Sequence, residues 1–202
     1  MVTTLKITKD AFDNALDVAT AMLRSGRIIV YPTDTVYGIG CDALSEDAVK
    51  NLLKIKQAEP KPLSVMVGDF STIEYYCETG LWEDMIISRY LPGPYTFILK
   101  KRRYVAASQT DKLGIRFPDN EFCQYLAQKF GRPIVTTSAN VTGREAPTSF
   151  EQIDPEILDK VDLAIDGGET KYRSPSMVVD LVDHKLKRTS AGEISLIEFP
   201  ER

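Results

Sequence analysis

"RIIVYPTDTVYGIGCDA", Arg27 to Ala43, carries a short apolar segment into a proline and then into hydroxyl and carboxyl side chains closed by two glycines. Ile28 to Tyr31 read as a buried strand that Pro32 ends, since proline brings no N–H to a ladder. Thr33, Asp34, Thr35 and Tyr37 then stand at the strand's end, where ligands of open α/β sheets sit. Gly38 and Gly40 permit close backbone approach, and the hydroxyls can hold carboxylate or phosphate oxygens without adding charge. G-I-G-C-D-A lacks the third glycine of a dinucleotide fingerprint, and no G-K-[ST] of a Walker loop is present. Taken alone, the segment reads as a turn in which Thr and Asp bond their own backbone.

A second strand end has the same make-up. In "IVTTSANVTGREAPTS" the apolar Ile134 and Val135 run into Thr136, Thr137, Ser138 and Asn140, and six hydroxyl residues fall within Thr136 to Ser149. Ser and Asn also cap helices and close turns, but two polar strand ends in one domain point to a shared pocket. "SPSMVVD" adds Ser174 and Ser176 at the start of another strand.

Around these ends the pattern alternates between helix and strand. Phe12, Leu16, Ala19 and Leu23 recur at helical spacing before Gly26, and "SEDAVKNLLKIKQ" is a second helix with a serine cap and acids in its first turn. "LSVMVG", "PYTFILKKR", "KLGIRFP" and "RPIVTTS" are strand candidates, with the helical "EFCQYLAQKFG" before the last of them. "VDLAIDGG", "PSMVVDLVD", "KLKRTSAG" and "ISLIEF" make the final third strand-rich. The expectation is one α/β domain over residues 1–202, an open, twisted, mixed sheet with flanking helices.

With 202 residues and net charge -4, the chain is long enough for a sizeable core and is not built for nonspecific phosphate attraction. It shows neither a leader pattern nor an apolar run near the roughly 20 residues of a membrane span, so a cytoplasmic protein is expected. Cys41, Cys77 and Cys123 are scattered and read as reduced thiols, and the single histidine, His184, reads as a surface residue in a turn between two strands. A transition-metal hydrolase or a Ser-His-Asp mechanism has little to stand on. "KKRR", Lys100 to Arg103, reads as a solvated strand end, an RNA contact being the sharper alternative. In "KIKQAEPKPLSVMV", Lys50 and Lys54 suit a helix C-terminus, whereas Lys56 and Lys61 flank the Pro60 break and could serve phosphates as point charges.

In order, "YPTDTVYGIGCDA", "KPLSVMV", "LPGPYT", "LGIRFP", "TSANVTG" and "PSMVVD" resemble the YrdC/YciO family, over residues of about 10 to 195. The resemblance implies a YrdC-like fold with a large concave pocket, of the short single-domain type. It also implies a threonylcarbamoyl-AMP synthase, a nucleotidyltransferase that joins L-threonine, bicarbonate and ATP with release of pyrophosphate. A separate threonylcarbamoyl transferase would then modify tRNA, and some members are described as double-stranded-RNA binders. Position by position, it places Thr35, Arg116, Thr136 and Ser176 on threonine, and Lys56, Lys61, Ser138, Asn140, Ala146 and Arg188 on ATP. Lys56, Ser138 and Asn140 would be catalytic, with Mg2+ held through the ATP phosphates. The chain departs from the family at the K-x-R element, where "KIKQAEPKPL" is one residue short and shows Gln57-Ala58, and at Met66, where some synthases have histidine. The alternative is an RNA-binding or YciO-like paralogue that binds nucleotide with weak or no synthase activity.

Overall fold

The computed structural model describes residues 2–190. In chain order its strands begin with Thr3–Lys6 (β1), Ile29–Tyr31 (β2), Gly38–Gly40 (β3), Val65–Met66 (β4), Cys77–Glu78 (β5) and Tyr95–Lys101 (β6). Lys112–Arg116 (β7), Ile134–Val135 (β8), Thr137–Ser138 (β9), Leu163–Asp166 (β10), Met177–Asp180 (β11) and Lys185–Arg188 (β12) complete the set. The helices are Phe12–Arg24 (α1), Glu46–Ile55 (α2), Phe70–Tyr76 (α3), Leu81–Tyr90 (α4), Glu121–Phe130 (α5) and Pro155–Leu158 (α6). The "ISLIEF" segment lies outside the described residues.

The α/β character and the mixed pairing agree with the sequence reading, with one difference: the strands form two sheets. One runs β1-β10-β2-β3-β9, the other β12-β11-β6-β7-β4-β8, with β5 paired to β6. "RPIVTTS", which looks like a single strand, is shared between them, because β8 pairs with β4 while β9 pairs with β3. The crossing is made at Thr136, whose N–H donates to the Ser64 carbonyl at 2.9 Å. Next to it the Val135 N–H donates to the Cys41 carbonyl at 2.9 Å, so the sheets meet edge to edge where the chain changes over.

Helices form where the apolar spacing calls for them and end for local reasons. Ser45 caps α2 by accepting from the Ala48 N–H at 3.3 Å. Asn120 does the same for α5 toward Cys123 at 3.0 Å. Gly131 then ends α5 in the left-handed region, with φ 73°. One apolar core joins Leu16 and Leu23 of α1 to Phe122 and Leu126 of α5 and to Tyr31, Met66 and Ile134 of the sheets. The other gathers Leu52 of α2, Ile87 of α4 and Val65, Phe97 and Ile115. Met66 is fully buried in the first core. The three cysteines are buried free thiols. His184 occupies the turn between β11 and β12 as expected, though half-buried with its ring 5.0 Å from that of Trp82 rather than lying on the surface. Among the described residues no helix is long and apolar enough to cross a membrane.

At Gly40 of β3 the two sheets approach backbone to backbone. A Cβ there would lie 2.3 Å from the Val135 carbonyl oxygen, backbone that cannot step aside without breaking the junction. Gly40→Ala should therefore destabilise the fold by about 1–3 kcal/mol, the usual range for overpacking, as read from the urea midpoint at unchanged m-value.

Candidate active site

β2 and β3 pair antiparallel, Tyr31 opposite Gly38, so the hydroxyl block Pro32–Tyr37 is the connection of a hairpin. It is stiffened from within. Thr33 Oγ1 donates to the Val36 carbonyl at 2.6 Å, accepts from the Thr35 N–H at 3.1 Å and lies 3.1 Å from Thr35 Oγ1. From outside, the Thr170 hydroxyl donates to the Thr35 carbonyl at 2.7 Å. The turn of self-bonded Thr and Asp is real, and it is also one wall of a cavity.

Asp34 is the hub of that wall. Its carboxylate accepts from Arg116 Nη2 on β7 and, through its other oxygen, from the Asp119 N–H at 3.1 Å. Arg116 also donates to Thr35 Oγ1 at 3.2 Å and to the Tyr95 carbonyl at 3.2 Å. Both residues are buried, so each supplies the other's counter-charge where water cannot. Burial pushes the Asp34 carboxyl above its ordinary range, against the opposing pull of Arg116 and of the Asp119 N–H.

The opposite wall is the strand change at Thr136 and the turn behind it. Lys56 closes α2 and sends its ammonium, 3% of the residue being exposed, to the Ser138 carbonyl and to that of Asn140 at 2.7 Å. Burial and then the charge of Lys61 push the Lys56 ammonium down to about 8. Asn140 Nδ2 donates to the carbonyls of Val141 at 3.1 Å and Arg144 at 2.6 Å. At the third side, Arg188 of β12 donates to the Ser176 carbonyl at 2.8 Å and to its hydroxyl at 3.1 Å. Ser176 in turn lies 2.8 Å from the Thr96 hydroxyl.

These walls enclose a cavity of about 220 Å³. Thr35, Lys61, Arg116, Thr136, Ser138, Ser176 and Arg188, all singled out in the sequence, line it together. Lys56, Asn140 and Ala146 are not among the lining residues: the first two are buried behind Ser138, and Ala146 is half-buried in the following loop. Thr33 and Thr137, noted at the two polar strand ends, line the cavity as well, Ser64 and Thr96 line it without having been picked out, and Asp34 backs it through Arg116. Ser64 and Thr96 lie within the quoted motifs "KPLSVMV" and "LPGPYT", which is the signal that could have found them. Among the described residues the lining contains three cations and no carboxylate. Nor do the described residues gather three or more metal-binding side chains. The cavity is chemically suited to a polar, anionic molecule carrying its own counter-ion.

"KKRR" lies apart from this site. Lys100 pairs with Glu78 at 2.8 Å and Lys101 donates to the Ser108 carbonyl at 2.6 Å. Arg102 donates to the Glu74 carbonyl at 2.9 Å, and Arg103 stacks 4.0 Å over Tyr75. The run is a strand end whose cations are turned to their own surface.

The buried pair gives a direct check. Arg116→Met should cost about 3–5 kcal/mol in urea unfolding, because Asp34 is left buried without its counter-charge. Adding Asp34→Asn should recover much of that loss, giving a coupling of about 0.5–3 kcal/mol in the double-mutant cycle.

The Sua5/YciO/YrdC family model, described as "Telomere recombination", matches residues 21–191. A candidate threonylcarbamoyl-AMP synthase of Methanocaldococcus jannaschii is 41% identical over 174 residues, covering 85% of this chain and 83% of that one. The crystal structure of Pyrococcus abyssi Sua5 complexed with L-threonine superposes with a TM-score of 0.80 at 30% identity, covering 89% of this chain and 54% of that one. Escherichia coli YciO superposes with a TM-score of 0.82 at 27% identity, covering 96% of this chain and 98% of that one. The chain thus spans about half of the Pyrococcus protein and nearly all of YciO. With the matched motifs surrounding one hydroxyl-lined cavity, this chain belongs to the Sua5/YciO/YrdC family.

Proposed function

We propose that the protein is a threonylcarbamoyl-AMP synthase of the cytoplasm, making threonylcarbamoyl-AMP and pyrophosphate from L-threonine, bicarbonate and ATP. The observation that carries this reading is the division of charge in the cavity. Arg116 is neutralised from behind by Asp34, whereas Lys61 and Arg188 bring positive charge to a lining without carboxylates. The first arrangement suits a zwitterionic amino acid; the second suits phosphates.

Threonine lies with its carboxylate on Arg116 and its hydroxyl among Thr35, Thr136 and Ser176. Its ammonium passes a proton to bicarbonate, which loses water to become CO2; the freed amine nitrogen then bonds to the CO2 carbon and releases a proton to solvent, leaving a carbamate. A carbamate oxygen then attacks the α-phosphorus of ATP, forming the P–O bond as the bond to pyrophosphate breaks. No protein nucleophile is needed, so the chain's part is to position the reactants and to offset phosphate charge through Lys61 and Arg188. The hydroxyl-lined cavity fits Mg2+ carried in on the nucleotide rather than caged by protein, and there Mg2+ supplies further charge neutralisation. Ser138 faces the nucleotide, with Asn140, Lys56 and Ala146 supporting the turn and loop on that side. A threonylcarbamoyl transferase consumes the product and passes the group to tRNA; direct contact of this chain with tRNA or double-stranded RNA is part of the proposal only as a weaker interaction.

Purified protein with ATP, Mg2+, bicarbonate and threonine should yield threonylcarbamoyl-AMP by mass spectrometry, dependent on both threonine and bicarbonate. No product above a protein-free blank would sink the reading. Arg188→Ala should raise the KM for ATP about 10–100-fold, the range expected for charge-assisted bonds worth about 1.5–3 kcal/mol, with little change in the KM for threonine. Arg116→Lys, which keeps charge but loses the planar fork, should show the reverse pattern.

A further inference from the structure

Lys56, at the C-terminal end of α2, has its charge turned away from the cavity. Its ammonium faces the carbonyl oxygens of Ser138 and Asn140, with Asn140 Oδ1 at 3.5 Å. An ammonium leaving water must have its three donors met by other acceptors, and three converging protein oxygens do so here. The same residue's main-chain carbonyl accepts from the Thr142 N–H at 3.0 Å, so Lys56 grips the turn at positions 138, 140 and 142.

The neighbouring residue takes hold of the turn's far end. Gln57 donates through Nε2 to Glu156 at 3.0 Å, and the other oxygen of Glu156 accepts from Arg144 Nη2 at 2.7 Å. Gln57 reaches this position with φ 51°, in the left-handed region that a non-glycine residue enters only when its surroundings fix it there. At Gln57 the chain thus continues its helix end into a second tether.

We propose that Lys56 is a positioning residue, an internal cation that holds the Ser138–Thr142 turn from behind and makes no contact with the phosphates. Any catalytic consequence rests on the synthase reading; the grip on the turn does not. To reach a phosphate, the ammonium would have to abandon all its protein acceptors, while Lys61 and Arg188 already line the cavity. Lys56 instead fixes where Ser138 and the adjoining Thr136 and Thr137 stand in the wall.

Hydrogen exchange of the ligand-free protein tests this directly. In Lys56→Ala, amides of residues 138–144 should exchange about tenfold faster or more while those of α1 and α5 keep their protection. Methylammonium chloride should restore protection by occupying the vacated oxygen cradle, and tetramethylammonium at equal ionic strength should not. In turnover the loss should fall on kcat, with the KM for ATP held within about twofold. Unchanged exchange in the turn together with a KM for ATP raised about tenfold would overturn the proposal. If Lys56→Ala does not fold, Lys56→Met takes its place. In the wild type, the 15N signal of the Lys56 ammonium should stay in place on addition of Mg2+-ATP, and a large displacement would count against the proposal. A protein that makes no threonylcarbamoyl-AMP would defeat the synthase reading and leave the exchange result standing.

Discussion

The active cavity depends on a single change of partner by the chain between Val135 and Thr137. Before it, the backbone is hydrogen-bonded into one sheet; after it, into the other. Because β-pairing reverses a side chain's facing with every residue, a switch completed within one residue turns consecutive hydroxyls toward a common space. The Pro32–Tyr37 connection meets that space from the side, since β3 carries both the end of the hairpin and the edge to which β9 pairs. Side-chain chemistry then becomes a matter of which residue stands at a place the backbone has already made.

Two ion arrangements supply that chemistry and differ in kind. Asp34 and Arg116 form a pair in which each charge is buried because the other is present, so the guanidinium enters the cavity wall with its orientation set. Lys56 has no carboxylate among its hydrogen-bond partners; its charge is spread over main-chain and amide oxygens of the turn it supports. The first presents a guanidinium whose charge is already matched by a carboxylate. The second gives shape to the Ser138 wall, while Lys61 and Arg188 bring positive charge to the lining.

Much of this was legible in the sequence because polar residues crowded at the ends of short apolar strands. The hairpin loop, the Thr136 segment and Ser176 announce themselves in that way, and Ser45, Asn120 and Gly131 bound helices that apolar spacing had already suggested. The division into two sheets was not legible, since "RPIVTTS" has the composition of one continuous strand and only pairing partners reveal the switch. Helix α4 escaped notice because Leu81, Trp82, Met85, Ile86 and Ile87 crowd its sequence without defining one apolar stripe. The direction of the Lys56 side chain was equally hidden. A lysine beside a proline break reads as a point charge for phosphates, and only the fold brings the oxygens of residues 138 and 140 to it.

The missing side chain at Gly40 has a consequence for how such a protein can diversify. Because backbone meets backbone there, the spacing of the two sheets is set by main-chain atoms and not by the residues that line the cavity. Substitutions among the lining hydroxyls can therefore alter what is held without altering how wide the opening is. A lineage that changed its ligand would inherit a vessel of nearly fixed dimensions, and its new chemistry would have to be found among molecules of similar size.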